Sequence, residues 1–132
     1  MTNPLPRVLL ATSGALLLFG GVVHTLAFKK AVAAVTQSNL PDFFGKALKG
    51  LWLIDSATLI TLAIVFGLIA ARPMVASRSI VVLLALIPAA TAGLLYYFIG
   101  SLRAAHLLVT AAALGFAGGM LLPKVRSEGS HR

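Results

Sequence analysis

Four long apolar runs fill nearly all of this chain, and they constrain its fold more than any other feature. The runs cover residues 8–28, 51–71, 80–100 and 104–122 of a 132-residue sequence. A helix needs about 20 apolar residues to cross roughly 30 Å of hydrocarbon, and each run has that length. The sequence therefore predicts one all-α transmembrane domain, an antiparallel bundle of four transmembrane helices.

The positive charge of the chain indicates a membrane surface and not a nucleic acid. The formal net charge is +8, from 11 Lys and Arg residues against 3 acids. These basic residues stand at the ends of the apolar runs, where they anchor helices at the headgroups and attract anionic lipid. We therefore expect the lipid bilayer and its anionic headgroups as partners. A homo-oligomer or a larger membrane partner is left open.

The longest connector, residues 29–50, separates the first two runs and begins with Lys29 and Lys30. Within it, Pro41 and Asp42 have the composition of a helix start. We expect this connector to be a short interfacial segment that leads into the second span.

The distribution of basic residues bears on orientation. With four spans, both termini and the loop at 72–78 share one side. That side holds six basic residues and the opposite side holds five: Arg7, Arg72, Arg78, Lys124, Arg126 and Arg132 against Lys29, Lys30, Lys46, Lys49 and Arg103. The positive-inside rule then predicts cytoplasmic termini.

The same topology gathers the conspicuous polar residues at one membrane face. The first and third spans end there, and the second and fourth begin there. We predict a polar pocket at this face that binds a ligand or a proton, and its candidate residues are His24, Trp52, Asp55, Ser56, Tyr96, Arg103 and His106. An aromatic belt is the alternative explanation for Trp52, Tyr96 and Tyr97.

Asp55 is the most informative of these residues. A charge in a membrane helix costs at least about 2.5–3.5 kcal/mol at the helix centre, and less toward its edge. One interpretation makes Asp55 a proton carrier, a metal ligand or a substrate anchor. The other pairs it with Arg103, Lys49 or a histidine to hold the bundle together.

The cofactor is unknown from the sequence. His24, Asp55 and His106 together have the chemistry of a divalent-metal site, and two histidines on facing helices are able to ligate haem. No HExxH or CxxCH motif accompanies them. Each imidazole otherwise hydrogen-bonds across helices or to headgroups.

Two ridges of small residues predict close helix packing. Small residues spaced by four let two membrane helices approach closely, either within the hairpin of the last two helices or between subunits. The ridges are Ala85, Ala89 and Gly93 in the third run, and Ala111, Gly115 and Gly119 in the fourth.

A pattern shared by the first two runs resembles a group of known proteins. Gly21 and His24 form G-x-x-H, and Trp52, Asp55 and Ser56 begin W-x-x-D-S. The pattern resembles small, uncharacterised four-helix inner-membrane proteins of bacteria. The resemblance covers the first two helices and implies a bundle in the bacterial inner membrane. It implies no activity.

The function predicted from these residues is binding of a small ligand, an ion or a lipid headgroup at the polar face, coupled to protonation of Asp55. A small oligomeric proton-coupled transporter and a structural or accessory subunit of a larger membrane complex are the alternatives. An enzyme is not favoured, because one acid and two histidines are a sparse set without a nucleophile motif.

Overall fold

The structure, a computed structural model, describes residues 4–123. Four helices are present there, together with a short 3-10 turn at Pro73–Val75. The helices are α1 (Leu5–Thr36), α2 (Asp42–Ala71), α3 (Arg78–Phe98) and α4 (Arg103–Leu121). All four are long and apolar enough to cross a membrane. The prediction of an all-α fold with four such helices is confirmed.

The helices are arranged so that α1 contacts both α2 and α4, while α3 packs on α4. Neighbouring helices run antiparallel: Gly14 approaches Ala63 of α2, and Gly118 approaches Leu10 of α1. Phe66 of α2 is fully buried and reaches the backbone of α4 from the opposite side of the core.

The outward surfaces of the helices are apolar in their middle parts. Large apolar side chains near the middle of each helix are exposed, namely Phe19, Ile64, Leu83 and Val109. A water-soluble protein rarely exposes such a continuous apolar surface. The pattern matches helices whose outer faces contact lipid.

Helix α1 is longer than the sequence predicts, whereas α2 begins beside Pro41, where the sequence indicates a helix start. Lys29 and Lys30 do not end α1, because lysine is a good helix former and alanine-rich sequence follows. Helix α1 continues to Thr36, and Pro41 stands at the N-cap of α2. Most of the predicted connector is therefore helix. At 1.5 Å per residue α1 and α2 measure about 48 and 45 Å, against about 32 and 29 Å for α3 and α4.

Contacts between the helices show which residues lie at the same depth. Gly20 approaches Leu107, so Arg103 at the start of α4 is level with about residue 24 of α1. His24 therefore lies at the level where the shorter α3–α4 hairpin ends. The remaining turns of α1 and α2 project beyond that hairpin.

The α3–α4 seam uses only part of the predicted ridges. A Cβ atom on Gly115 would lie 3.2 Å from the Cβ of Ala85, and one on Gly119 would lie 2.9 Å from Val81. Ala111 is buried, and its carbonyl accepts a 2.7 Å hydrogen bond from Ser13 Oγ of α1. These small residues allow the backbones to approach.

Gly93 was expected on this seam and is instead exposed, with no atom near its missing Cβ. The reason is geometric, because a strict spacing of four turns about 40° around a helix at each step. Ala89 is accordingly only half-buried. The buried stripe of α3 alternates steps of four and three, and it consists of Val81, Ala85, Pro88 and Ala92.

At the opposite end of the bundle, Arg7 connects the start of α1 to the end of α2. Its Nε and Nη2 atoms donate hydrogen bonds of 2.9 and 3.1 Å to the carbonyls of Ala70 and Ala71. These carbonyls end α2, where unpaired acceptors and the helix dipole both favour a cation. The sequence predicts only a headgroup anchor for this arginine.

Replacing Gly115 with leucine tests the seam. In Gly115→Leu the new Cβ would lie 3.2 Å from the Cβ of Ala85 and 3.2 Å from the Phe66 ring, which leaves no room for the rest of the side chain. We expect a loss of roughly 1–3 kcal/mol, the usual cost of overpacking. The measurement is thermal unfolding in detergent. The matched control is Gly93→Leu, where the space is open, and equal destabilisation by both substitutions would contradict this packing.

Candidate functional site

The candidate site depends on a close approach of α1 and α2 at Gly21. A Cβ atom there would lie 2.8 Å from Ile60 Cγ1 and 3.3 Å from the Ile60 backbone nitrogen. Only glycine leaves the room that this approach requires. One turn further along α1, His24 is brought directly against α2.

His24 is held by two residues of α2. Its imidazole stacks on the indole of Trp52, with ring centroids 4.2 Å apart and an interplanar angle of 7°. Trp52 Nε1 donates a 2.8 Å hydrogen bond to the carbonyl of His24. Nδ1 of His24 lies 2.9 Å from Ser56 Oγ. Three contacts thus fix both the ring and the backbone of this histidine.

The other ring nitrogen of His24 faces Asp55. His24 Nε2 lies 3.6 Å from Asp55 Oδ2, and the two side chains are 27% and 39% exposed. Of the partners considered for Asp55 from the sequence, which are Arg103, Lys49 and a histidine, the structure shows His24 beside it. Within residues 4–123, Asp55 forms no ion pair with Lys49 or Arg103. We refer to His24, Trp52, Asp55 and Ser56 as the His24 cluster.

The Ser56 hydroxyl gives the His24 cluster two hydrogen-bonding arrangements. Ser56 is buried, and its Oγ lies within reach of both His24 Nδ1 and the Trp52 carbonyl, at 2.9 and 3.1 Å. A hydroxyl has one hydrogen to donate and lone pairs to accept with. Neutral His24 accepts that hydrogen at Nδ1. Protonated His24 donates from Nδ1 to Ser56, whose hydrogen then turns to the Trp52 carbonyl.

In both arrangements Nε2 carries a hydrogen toward the Asp55 carboxylate. A carboxylate beside one ring nitrogen commonly selects the histidine tautomer in this way. The His24 cluster is therefore able to gain or lose a proton without leaving a buried polar atom unpaired.

Tyr96 and His106 form a second cluster on the α3–α4 hairpin. The Tyr96 hydroxyl is hydrogen-bonded to His106 Nδ1, and Ser101 Oγ lies 3.4 Å from His106 Nε2. Gly100 between them has φ of +87°, which glycine adopts without strain, and its N–H caps α3. The contacts are local, and they close the hairpin turn.

The two clusters lie at the same end of the bundle on separate hairpins. No hydrogen bond or ion pair joins them in the described part of the chain. The structure thus places His24 with Asp55 and Tyr96 with His106, and a single pocket shared by all four stays a prediction. Arg103 is exposed and has no side-chain partner among residues 4–123.

The donor set does not fit the metal and haem sites considered from the sequence. Within residues 4–123 no three His, Asp or Glu side chains come together around a metal position. His24 and Asp55 supply two donors, and His106 belongs to the other cluster. Each histidine also has both ring nitrogens directed at neighbours in its own cluster, which does not fit haem ligation between facing helices.

A groove that sequence reasoning missed adjoins the His24 cluster. It has a volume of about 250 Å³ and lies between the projecting ends of α1 and α2, with Trp52 in its wall. Its residues on α1 fall in the predicted connector. Continuous helix there, indicated by the Ala-rich sequence after Lys30, is the signal that would have revealed it.

Comparison of the chain with family models, with curated proteins and with solved structures finds no match. The interpretation of the site therefore depends on its geometry.

Gly21→Leu tests whether the close approach assembles the site. The larger side chain has to push Ile60 away, so we expect the Trp52–His24 contacts to break and roughly 1–3 kcal/mol of stability to be lost. Trp52 is the single tryptophan, and its indole N–H gives one NMR signal. That signal should move in Gly21→Leu.

The matched control is Gly50→Leu, since Gly50 has no atom within 4 Å of its missing Cβ. An indole signal that stays in place in Gly21→Leu would show that the close approach does not position Trp52.

Proposed function

We propose that this chain is an integral membrane protein of the bacterial inner membrane, with cytoplasmic termini, that binds a small ligand at the α1–α2 face and couples binding to protonation of the His24–Asp55 pair. The observation that carries the proposal is the fixed imidazole of His24, whose Nε2 faces Asp55 at 3.6 Å.

The position of the pair supports a functional role. A carboxylate near the hydrocarbon edge costs free energy unless it is paired or hydrated. His24 and Asp55 are both partly exposed on the side of the hairpin that projects from the membrane. Protons and ligands from the aqueous side therefore have access to them. A pair whose only role was to hold the helices together would have no need of this access.

The neighbours of the pair also support proton exchange. The Ser56 hydroxyl accommodates either charge state of His24, and the stacked indole of Trp52 favours a cation on its face. Imidazole is the side chain whose charge ordinarily changes between pH 5 and 8.

The core beneath the site argues against transport by a single chain. Leu59, Leu62 and Phe66 are buried below the His24 cluster. Ser13 is buried deeper in the bundle, and its hydroxyl donates a hydrogen bond to the carbonyl of Ala111. A proton path across the membrane would need groups from other subunits, so binding is the function that we favour.

The fluorescence of Trp52 reports on this proposal. A protonated imidazole stacked on an indole accepts an electron from its excited state and quenches its emission. Acidification of the protein in nanodiscs should therefore lower Trp52 fluorescence. In His24→Gln the response should be absent. In Asp55→Asn the imidazolium loses its carboxylate partner, so the quenching at a given acidic pH should be weaker.

The matched control is Asp42→Asn, which removes an acid from the start of the same helix. Asp42 is 91% exposed and pairs with Lys46, so this variant should respond to pH as the wild type does. The proposal fails if Asp55→Asn has the wild-type response, or if His24→Gln retains it.

A further inference from the structure

The groove between α1 and α2 has the chemistry of an amphiphile site. It is lined by Ala31, Ala34, Val35, Leu48, Lys49 and Trp52. All but one of these side chains are apolar or aromatic, and the exception is a lysine. A ligand that is complementary to the whole groove has an apolar part that contacts the walls and an anionic group that pairs with Lys49.

The Trp52 end of the groove lies at the depth of the lipid headgroups. Gly21 is opposite Leu59 and Val35 is opposite Gly45, so the same register places Lys49 level with Ala31, and Lys29 and Lys30 within one turn of that level. Lysines at the ends of apolar runs mark the headgroup layer, which is about 5–8 Å thick on each side of the bilayer. The molecules that always occupy this layer are phospholipids.

The charges around the groove favour an anionic lipid over a zwitterionic one. Lys46 forms a 3.0 Å ion pair with Asp42 and is thereby neutralised. In the part of the chain that the structure describes, Lys29, Lys30 and Lys49 have no ion pair or hydrogen bond of their side chains. Lys49, which lines the groove itself, is therefore the cation available to a phosphate group bound there.

We infer that the groove binds one anionic phospholipid of the surrounding bilayer, with its glycerol and the first part of an acyl chain on the apolar walls and its phosphate at Lys49. This inference rests on the proposed function, because it names the ligand class of that same site. Trp52 connects the two, since it lines the groove and also stacks on His24.

Brominated lipids test the inference, because bromine quenches an indole only at contact. The full-length protein is placed in phosphatidylcholine vesicles that contain either brominated phosphatidylglycerol or brominated phosphatidylcholine at equal mole fraction. We expect Trp52 to be quenched preferentially by the phosphatidylglycerol. A preference of about fivefold in relative affinity is the effect expected of one lysine near an anionic group.

Lys49→Gln should abolish most of this preference, whereas Lys46→Gln should retain it. The two lysines lie three residues apart on α2, and only Lys49 lines the groove. Equal quenching of the wild type by both lipids overturns the inference. A preference that falls equally in both variants also overturns it, since it would reflect general surface charge.

The same samples separate this inference from the proposed function. If phosphatidylglycerol is preferred but Trp52 fluorescence does not change with pH, the lipid site is supported and the proton role of His24 and Asp55 fails. If the pH response is present and the two lipids quench equally, the proton role stands and the lipid is not the ligand. Excess water-soluble glycerol phosphate should leave the phosphatidylglycerol preference unchanged, and its loss would assign the groove to a soluble anion.

Discussion

The close approach of α1 and α2 at Gly21 is the constraint on which the rest of the site depends. Because no side chain separates the helices there, the indole of Trp52 reaches the backbone carbonyl of His24 at 2.8 Å. The ring of His24 is then sandwiched against α2, with Ser56 at one nitrogen and Asp55 at the other. A larger residue at position 21 would separate all of these groups together.

The unequal lengths of the two hairpins determine where the His24 cluster and the groove lie along the bundle. α3 and α4 end at about the level of His24, while α1 and α2 continue for more than three further turns. The His24 cluster lies at that level and the apolar groove lies beyond it. Trp52 belongs to both, so it connects the proposed proton exchange with the proposed lipid site.

Much of this arrangement follows from the sequence, and the exceptions have physical causes. The apolar runs predict the four helices, and the spacing of Trp52, Asp55 and Ser56 predicts their shared face. The end of α1 was predicted too early, because Lys29 and Lys30 mark the membrane edge without breaking a helix. The choice between His24 and Lys49 or Arg103 as the partner of Asp55 depends on the relative rotation of two helices, which no local pattern specifies.

The separation of the two histidines has a similar cause. Topology alone places His24 and His106 at one face, but which helices become neighbours decides whether they meet. The same holds for Gly93, where a repeat of four residues drifts away from the contact that Gly115 keeps with Ala85.

The most direct test of the account is the protonation state of His24, measured by ¹⁵N NMR of histidine-labelled protein in nanodiscs and assigned with His24→Gln. We predict that neutral His24 carries its hydrogen on Nε2, toward Asp55, with Nδ1 accepting from Ser56. Acidification should add the second proton at Nδ1. A neutral ring with its hydrogen on Nδ1, or a ring that does not titrate, would contradict the central claim that the His24–Asp55 pair exchanges a proton.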